Sequence, residues 1–262
     1  MIVDPFILTR GDSPLLISMP HVGTKITQAV ADGLVPAAMT LPDTDWHLPR
    51  LYNFAINSGA TVLAANYSRY VIDLNRPEDD QPLYPGATTG LFPATLFDGN
   101  PLFQAGKTPS ATERQSYIEQ IWRPYHQQIS IELERLKSKY GYAILFDAHS
   151  IRGEIPFLFE GRLPDLNLGT FNGGSCDLHL AQLLAKQCES SAYTSVLNGR
   201  FKGGYITRHY GQPQAHIHAV QLEMAQAIYM QETEPFSYDE KKAALLQPLL
   251  KQLIDTLQTF QG

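Results

Sequence analysis

Cysteine is almost missing from this chain: Cys176 and Cys188 are the two among 262 residues. Two thiols cannot build a disulfide framework, and their placement in a helical pattern suits free thiols in a reducing cytoplasm. Blocks of like charge are missing too. The 20 basic and 26 acidic side chains leave a net charge of −6 spread along the sequence. This argues against nucleic acid or an anionic membrane as partner, since both need clustered Lys and Arg. No apolar stretch approaches a membrane span, and the opening MIVDPFILTRGDSPLLIS lacks the basic-then-apolar order of a signal peptide. Ser150 has no G-x-S-x-G elbow around it, and Gly173–Gly174 and Gly203–Gly204 belong to no phosphate-binding glycine pattern. A serine hydrolase and a nucleotide-binding protein are set aside on those grounds.

What is present is a 44% hydrophobic, 18% charged composition, that of a soluble globular protein large enough to bury a full core. Short apolar runs bounded by turn residues predict strands at Leu15–Met19, Ala60–Ala65, Tyr70–Leu74, Tyr142–Phe146, Pro156–Glu160, Tyr193–Leu197 and Ile217–Leu222. Apolar residues at helical spacing predict helices after Asp43–Asp45, over Thr112–Tyr140, Asp177–Gln187, Met224–Met230 and Lys241–Phe260. Pro124 is expected to kink or divide the longest of these. Residues 165–174 read as loop. Residues 78–109, rich in Pro, Gly, Asp and Thr, read as a long irregular segment that covers a site. Strands alternating with helices give an α/β fold: a single-domain three-layer sandwich around a central mixed sheet, spanning 1–262.

Four predicted strand ends turn abruptly polar: His21, Asn75–Arg76, Asp147–His149 and Glu223. Ligands gather beyond the carboxyl ends of strands in open α/β sheets, so these groups converge on one rim if the strands are neighbours. Two imidazoles and a carboxylate hold Zn2+ and leave a position for water. A further carboxylate takes the water proton, and an Arg neutralises negative charge. His21 and His149 supply the imidazoles. Asp45 is the first choice for the third ligand, with Asp43 and His47 as competitors, and a helix N-cap is the alternative for one of the aspartates. Arg208 follows two glycines in GGYITRHYG, where it can grip a carboxylate or pair with the acidic surface. Arg69 and Arg152 are further cations. His126 and His179 lie within helical patterns and read as packing or surface residues. His216 and His218 read as structural groups at the far end of the last strand.

The blocks SMPHVGT (18–24), DTDWHLPRLY (43–52), SRYVIDLNRPEDD (68–80), LFDAHSIRGEIP (145–156), NLGT (167–170), NGRFKGGYITRHYG (198–211) and VQLEMAQAIYM (220–230) together resemble the N-formylglutamate amidohydrolase family. The resemblance covers nearly the whole chain. That family is similar to zinc carboxypeptidases and aspartoacylases, so the resemblance implies a zinc-carboxypeptidase-like (phosphorylase/hydrolase-like) fold with one zinc, or another divalent ion, per chain. By it, His21 and His149 match the zinc histidines, Asn75 and Arg76 the clamp on a substrate carboxylate, and Glu223 the general acid/base. One position departs. Thr24 stands where the related peptidases and aspartoacylases carry the zinc glutamate, so the carboxylate ligand comes from elsewhere.

The reaction implied is hydrolysis of N-formyl-L-glutamate to formate and L-glutamate, a step of histidine degradation, with Arg76 and Arg208 available for the two carboxylates. Two other readings stay open: a zinc amidohydrolase for another N-acyl amino acid, and a non-catalytic binder of an acidic ligand. The partner in every case is a small molecule. The sequence carries nothing about oligomeric state.

Overall fold

The computed structural model describes residues 2–82 and 89–261. Among them, β1 (Phe6–Thr9), β2 (Leu15–Met19), β3 (Thr61–Ala65), β4 (Ala143–Ile151), β5 (Leu166–Gly169), β6 (Ser195–Leu197) and β7 (Ile217–Ala225) form one mixed sheet in the order β1-β3-β2-β4-β7-β5-β6. Strands β3, β2, β4 and β7 run parallel to one another, while β1 on one side and the β5–β6 pair on the other run against them. The helices are α1 (Gln28–Gly33), α2 (Leu48–Leu51), α3 (Asn53–Asn57), α4 (Ala111–Tyr117), α5 (Arg123–Tyr140), α6 (Leu178–Glu189), α7 (Tyr205–Tyr210) and α8 (Glu240–Thr259).

Alternate residues of the central strands feed two different cores. Ile17, Phe146, Ala148 and Leu222 pack with Leu51, Ala55, Leu184 and Leu250 from α2, α3, α6 and α8. Leu16, Leu145 and Ala219 pack with Val30, Tyr117, Leu133 and Ile206 from α1, α4, α5 and α7. Three layers result. A strand covered on both faces reads as an unbroken apolar run, which is why β2 is legible as LLISM. Truncating a side chain such as Phe146, 1% exposed, to Ala would cost about 3–5 kcal/mol.

The helix ends follow from their capping residues. Ser110 and Glu113 form a capping box at α4, Asp177 accepts from two backbone N–H groups at α6, and Asp239 does the same at α8. Each arrangement satisfies donors that the first turn leaves unpaired. Between α4 and α5, Ile118–Trp122 forms a π-helical turn just ahead of Pro124. Proline has no N–H for the usual ladder, and the widened turn takes up the break. Gly141, at φ 83, ends α5, a left-handed position that glycine adopts without strain.

Several expected elements differ. Residues 70–74 are buried but form turns rather than a strand. Their N–H groups bond outside any ladder, Val71 to Ser68 O and Asp73 to Leu91 O, so apolar content here reflects packing under α4 and α5 rather than pairing. Pro156–Glu160 is also a turn, with the N–H groups of Leu158 and Phe159 both donating to Ile155 O. Met224 and Ala225 extend β7, and only Gln226–Ile228 turns, as a 3-10 helix. Strands β1 and β5 were not expected. Both have four residues, β1 is a half-exposed edge, and β5 reads LNLG, too short and too mixed to show a period. Residues 78–109 contain isolated bridges but no strand or helix among those described, and positions 83–88 lie outside the described residues. Cys176 and Cys188 are buried and free. Among the described residues, no helix is long and apolar enough to cross a membrane.

Candidate active site

Strand β4 does not stop where its sequence turns polar. It continues to Ile151, and the period of two sorts its residues. Phe146 and Ala148 enter the apolar core. Asp147 and His149 project from the other face, beyond Leu145. Register places Asp147 beside Gln221 and His149 beside Glu223 on β7, and Asn167 of β5 beside Glu223. One face of the sheet is therefore apolar at its amino end and polar at its carboxyl end. His21 follows β2 directly, and Asp45 comes from the loop before α2, its N–H donating to His21 O at 3.1 Å.

His21, Asp45 and His149 present ligand atoms within 4.8 Å of one another, all three residues buried. The outer ring nitrogens fix the tautomers. His21 Nε2 is 2.7 Å from Asp73 Oδ1 and His149 Nε2 is 3.1 Å from Asp147 Oδ2. Carboxylates only accept, so each Nε2 carries a hydrogen. Both Nδ1 atoms then face Asp45 Oδ2, at 3.9 Å from His21 and 3.1 Å from His149. Two imidazole nitrogens and one carboxylate oxygen, with carboxylates behind the imidazoles, form a donor set that could hold a divalent metal ion. Asp45 Oδ2 is also held by the Ser150 N–H at 3.1 Å.

The electrostatics favour positive charge at this point. Burial opposes ionisation of His149, yet Asp147 and Asp45 on its two nitrogens hold its pKa well above the ordinary value. Burial lowers the pKa of His21, helped by Arg69 nearby. Burial likewise works against the Asp73 carboxylate, but Arg69, His21 and Arg76 keep it well below the usual range. Glu223 is pushed up to about 8, mainly by burial, with Asp45 adding to the rise and His149 opposing it.

These groups open onto a cavity of about 320 Å³ lined by His21, Asp45, His149 and Glu223 together with Asn75, Arg76 and Arg200. Phe97, Leu158 and Phe201 add apolar wall. Asn75 Nδ2 lies 3.1 Å from His149 Nε2, and its Oδ1 accepts from the Ile206 N–H at 2.9 Å. Arg76 donates to Thr89 O and Oγ1 at 2.6 and 3.1 Å. Gly204 lets this corner close: a Cβ there would fall 2.7 Å from Asn75 Cγ.

The structure separates the candidates that the sequence left together. Asp43 is committed elsewhere, accepting from Tyr70 OH, the Phe97 N–H and Arg152. His47 turns its Nε2 to Phe236 O. Neither aspartate caps α2, whose N-cap is His47 in the left-handed region. Arg69 reaches the cavity, but its guanidinium pairs with Asp73 and lies over Phe97. Arg152 and Arg208, expected as substrate contacts, lie apart from this cavity. Neither is among the cavity-lining residues; Arg152 is drawn to Asp43, and Arg208 donates to Gly203 O from the last turn of α7. Arg200 was missed. It follows β6, which runs against β4 and β7, so attention to the carboxyl ends of parallel strands gave no reason to look there. Asp73 was missed as well, hidden within an apparent strand.

Fold and cavity together define an α/β protein with a buried centre of two histidines and one aspartate, faced by a glutamic acid and flanked by arginines. The family model for N-formylglutamate amidohydrolase matches residues 13–230. An N-formylglutamate deformylase of Pseudomonas putida is 64% identical over 249 residues, covering 95% of this chain and 93% of that one. Its counterpart from Pseudomonas aeruginosa is 59% identical over 249 residues, covering 95% and 94%. The crystal structure of an N-formylglutamate amidohydrolase from Ralstonia eutropha JMP134 superposes with a TM-score of 0.82 at 25% identity, covering 97% of this chain and 96% of that one. The chain belongs to the N-formylglutamate amidohydrolase family.

Proposed function

We propose that this protein hydrolyses N-formyl-L-glutamate to formate and L-glutamate with one divalent ion, Zn2+ by its donor set, held by His21, Asp45 and His149. The observation that carries the reading is the convergence of those three ligands with Glu223 in one cavity. The close relatives supply the substrate: both are N-formylglutamate deformylases. When bound, the ion acidifies a water molecule and polarises the formyl oxygen.

The chain's own residues do the rest. Asn75 and Arg76 hold one substrate carboxylate, and Arg200 stands at the same cavity for the other. This fixes the formyl carbon relative to Glu223. The Glu223 carboxylate removes a proton from water as the new C–O bond forms at the formyl carbon. It then hands that proton to the amide nitrogen as the C–N bond breaks. A pKa near the working pH suits a group that must do both, and burial raises Glu223 in that direction. Phe97 and Phe201 keep bulk water from the acid–amide pair. Thr89 and Phe97 come from the irregular segment 78–109, which we read as the cover of the site; protease sensitivity there should fall when L-glutamate binds. With this goes a place in histidine degradation in the cytoplasm, a setting consistent with two buried free thiols.

The test is formate release from N-formyl-L-glutamate by purified protein, with and without chelator, beside N-formyl-aspartate and N-acetyl-aspartate. Chelator-sensitive release from formylglutamate is expected. Release from the aspartyl compounds alone would move the protein to another acyl-amino acid. Absence of both release and stoichiometric metal would make it a binder.

A further inference from the structure

Asn75 and Arg76 sit at the end of a buried stretch with no regular secondary structure. A loop that presents two substrate-facing side chains needs its backbone fixed by neighbours. Two ring nitrogens from one helical segment do this. Trp122 Nε1 donates to Arg76 O at 2.9 Å, and His126 Nε2 lies 2.9 Å from Leu74 O. The carbonyls on both sides of Asn75 are therefore held. A carbonyl only accepts, so His126 carries its hydrogen on Nε2; the Tyr210 hydroxyl of α7 lies 3.0 Å from both Nδ1 and the backbone oxygen of His126. Burial supports the neutral ring by pushing its pKa down to about 3. The two rings stack, with centroids 3.9 Å apart.

The π-helical turn explains how the rings come to face the loop. The Arg123 N–H bonds back to Ile118 O, a five-residue step. Each added residue turns the following helix by about 100° relative to an uninterrupted one. Before the turn, Tyr117 bonds Thr27, the cap of α1. Trp122 at its end and His126 one turn later point at residues 74–76. Neither ring is among the cavity-lining residues, so any effect on the reaction acts through the loop.

We propose that Trp122 and His126 are positioning residues for Asn75 and Arg76, aimed by the π-helical turn. The inference rests on the proposed function, which assigns Arg76 to a substrate carboxylate.

Trp122→Phe keeps an aromatic ring against His126 and removes the N–H that holds Arg76 O. Steady-state kinetics with N-formyl-L-glutamate and calorimetric binding of L-glutamate read the effect. Losing one hydrogen bond at the loop should raise KM and the glutamate Kd about fivefold to tenfold while kcat changes less than about twofold, with metal content unchanged. In an Arg76→Ala background the same replacement should add less than about twofold, because coupled residues do not add. An unchanged KM, or a full extra loss on top of Arg76→Ala, would overturn the proposal. A second pair keeps it testable if Trp122→Phe does not fold. His126→Gln retains an amide donor for Leu74 O and should keep most of the affinity; His126→Leu should lose it. Equal affinities in that pair would again overturn the proposal. Wild-type protein that neither cleaves formylglutamate nor binds glutamate would remove the functional reading and the positioning roles together. Active wild type with indifferent variants would remove the positioning roles alone.

Discussion

His149 and Glu223 are register partners on the adjacent parallel strands β4 and β7, so both side chains leave the same face of the sheet at neighbouring positions. Strand spacing, about 4.8 Å, sets the separation of the His149 imidazole from the Glu223 carboxyl group. Glu223→Gln keeps that geometry and removes the proton acceptor. It should lower kcat by about 10²–10⁴-fold with metal content unchanged by elemental analysis. Retained turnover would take Glu223 out of the chemistry.

Asp73 stands behind His21 as Asp147 stands behind His149. Asp73→Asn weakens the hold on the imidazole without touching a ligand atom, and metal affinity should fall about 10- to 100-fold. Competition with a fluorescent chelator measures this directly. Stripping metal from the wild type should also lower its melting temperature, with recovery on adding Zn2+, because a ligand that binds only the folded state stabilises it.

Gly204 has ordinary negative φ, so its role is space rather than backbone freedom. Gly204→Ala would press on Asn75, displacing the amide from beside His149. The loss should fall on KM, and the replacement should cost little thermal stability if Asn75 swings into the cavity. A large drop in melting temperature with an unchanged KM would show that the clash is absorbed by the backbone instead.

His126 gives a pH dependence with a definite sign. Its folded pKa is pushed down to about 3 by burial, below the unfolded value of about 6.5. The unfolded chain therefore binds a proton that the native chain refuses across that interval. The stability from keeping the ring neutral is complete above the unfolded pKa and is lost as pH falls, at up to about 1.4 kcal/mol per pH unit. His126→Gln removes this dependence. Urea midpoints at pH 7.5 and pH 4.5 should show the wild-type advantage shrinking on the acid side.

The parts of this molecule that were legible in the sequence are those where local chemistry and global position agree. Strand β2 is buried on both faces and reads as such, and the helical patterns from Asp177 and Lys241 match α6 and α8. His21, His149 and Glu223 stood out as polar groups ending apolar runs. The strand-end picture was still incomplete, because β4 and β7 continue past those residues and the polarity belongs to one face of each. Asp73 was obscured by apolar neighbours that pack without pairing. The long helical pattern gave the helix, and Pro124 the break in it, but not that the break takes the form of a π-helical turn. Arg200 depends on the direction of β6, which only the assembled sheet defines.

The position of β7 carries a consequence for synthesis. Strands β5 and β6 are made before β7, yet β5 joins the sheet only through it. A chain leaving the ribosome thus holds β1, β2, β3 and β4, with His21, Asp45 and His149, before residues 217–225 exist to dock the other flank. Until then β5 and β6 have only each other as sheet partners, a two-stranded unit that is marginal in water. Glu223 arrives on the same segment that joins the two flanks of the sheet, so the sheet and the cavity lining that Glu223 supplies are completed together.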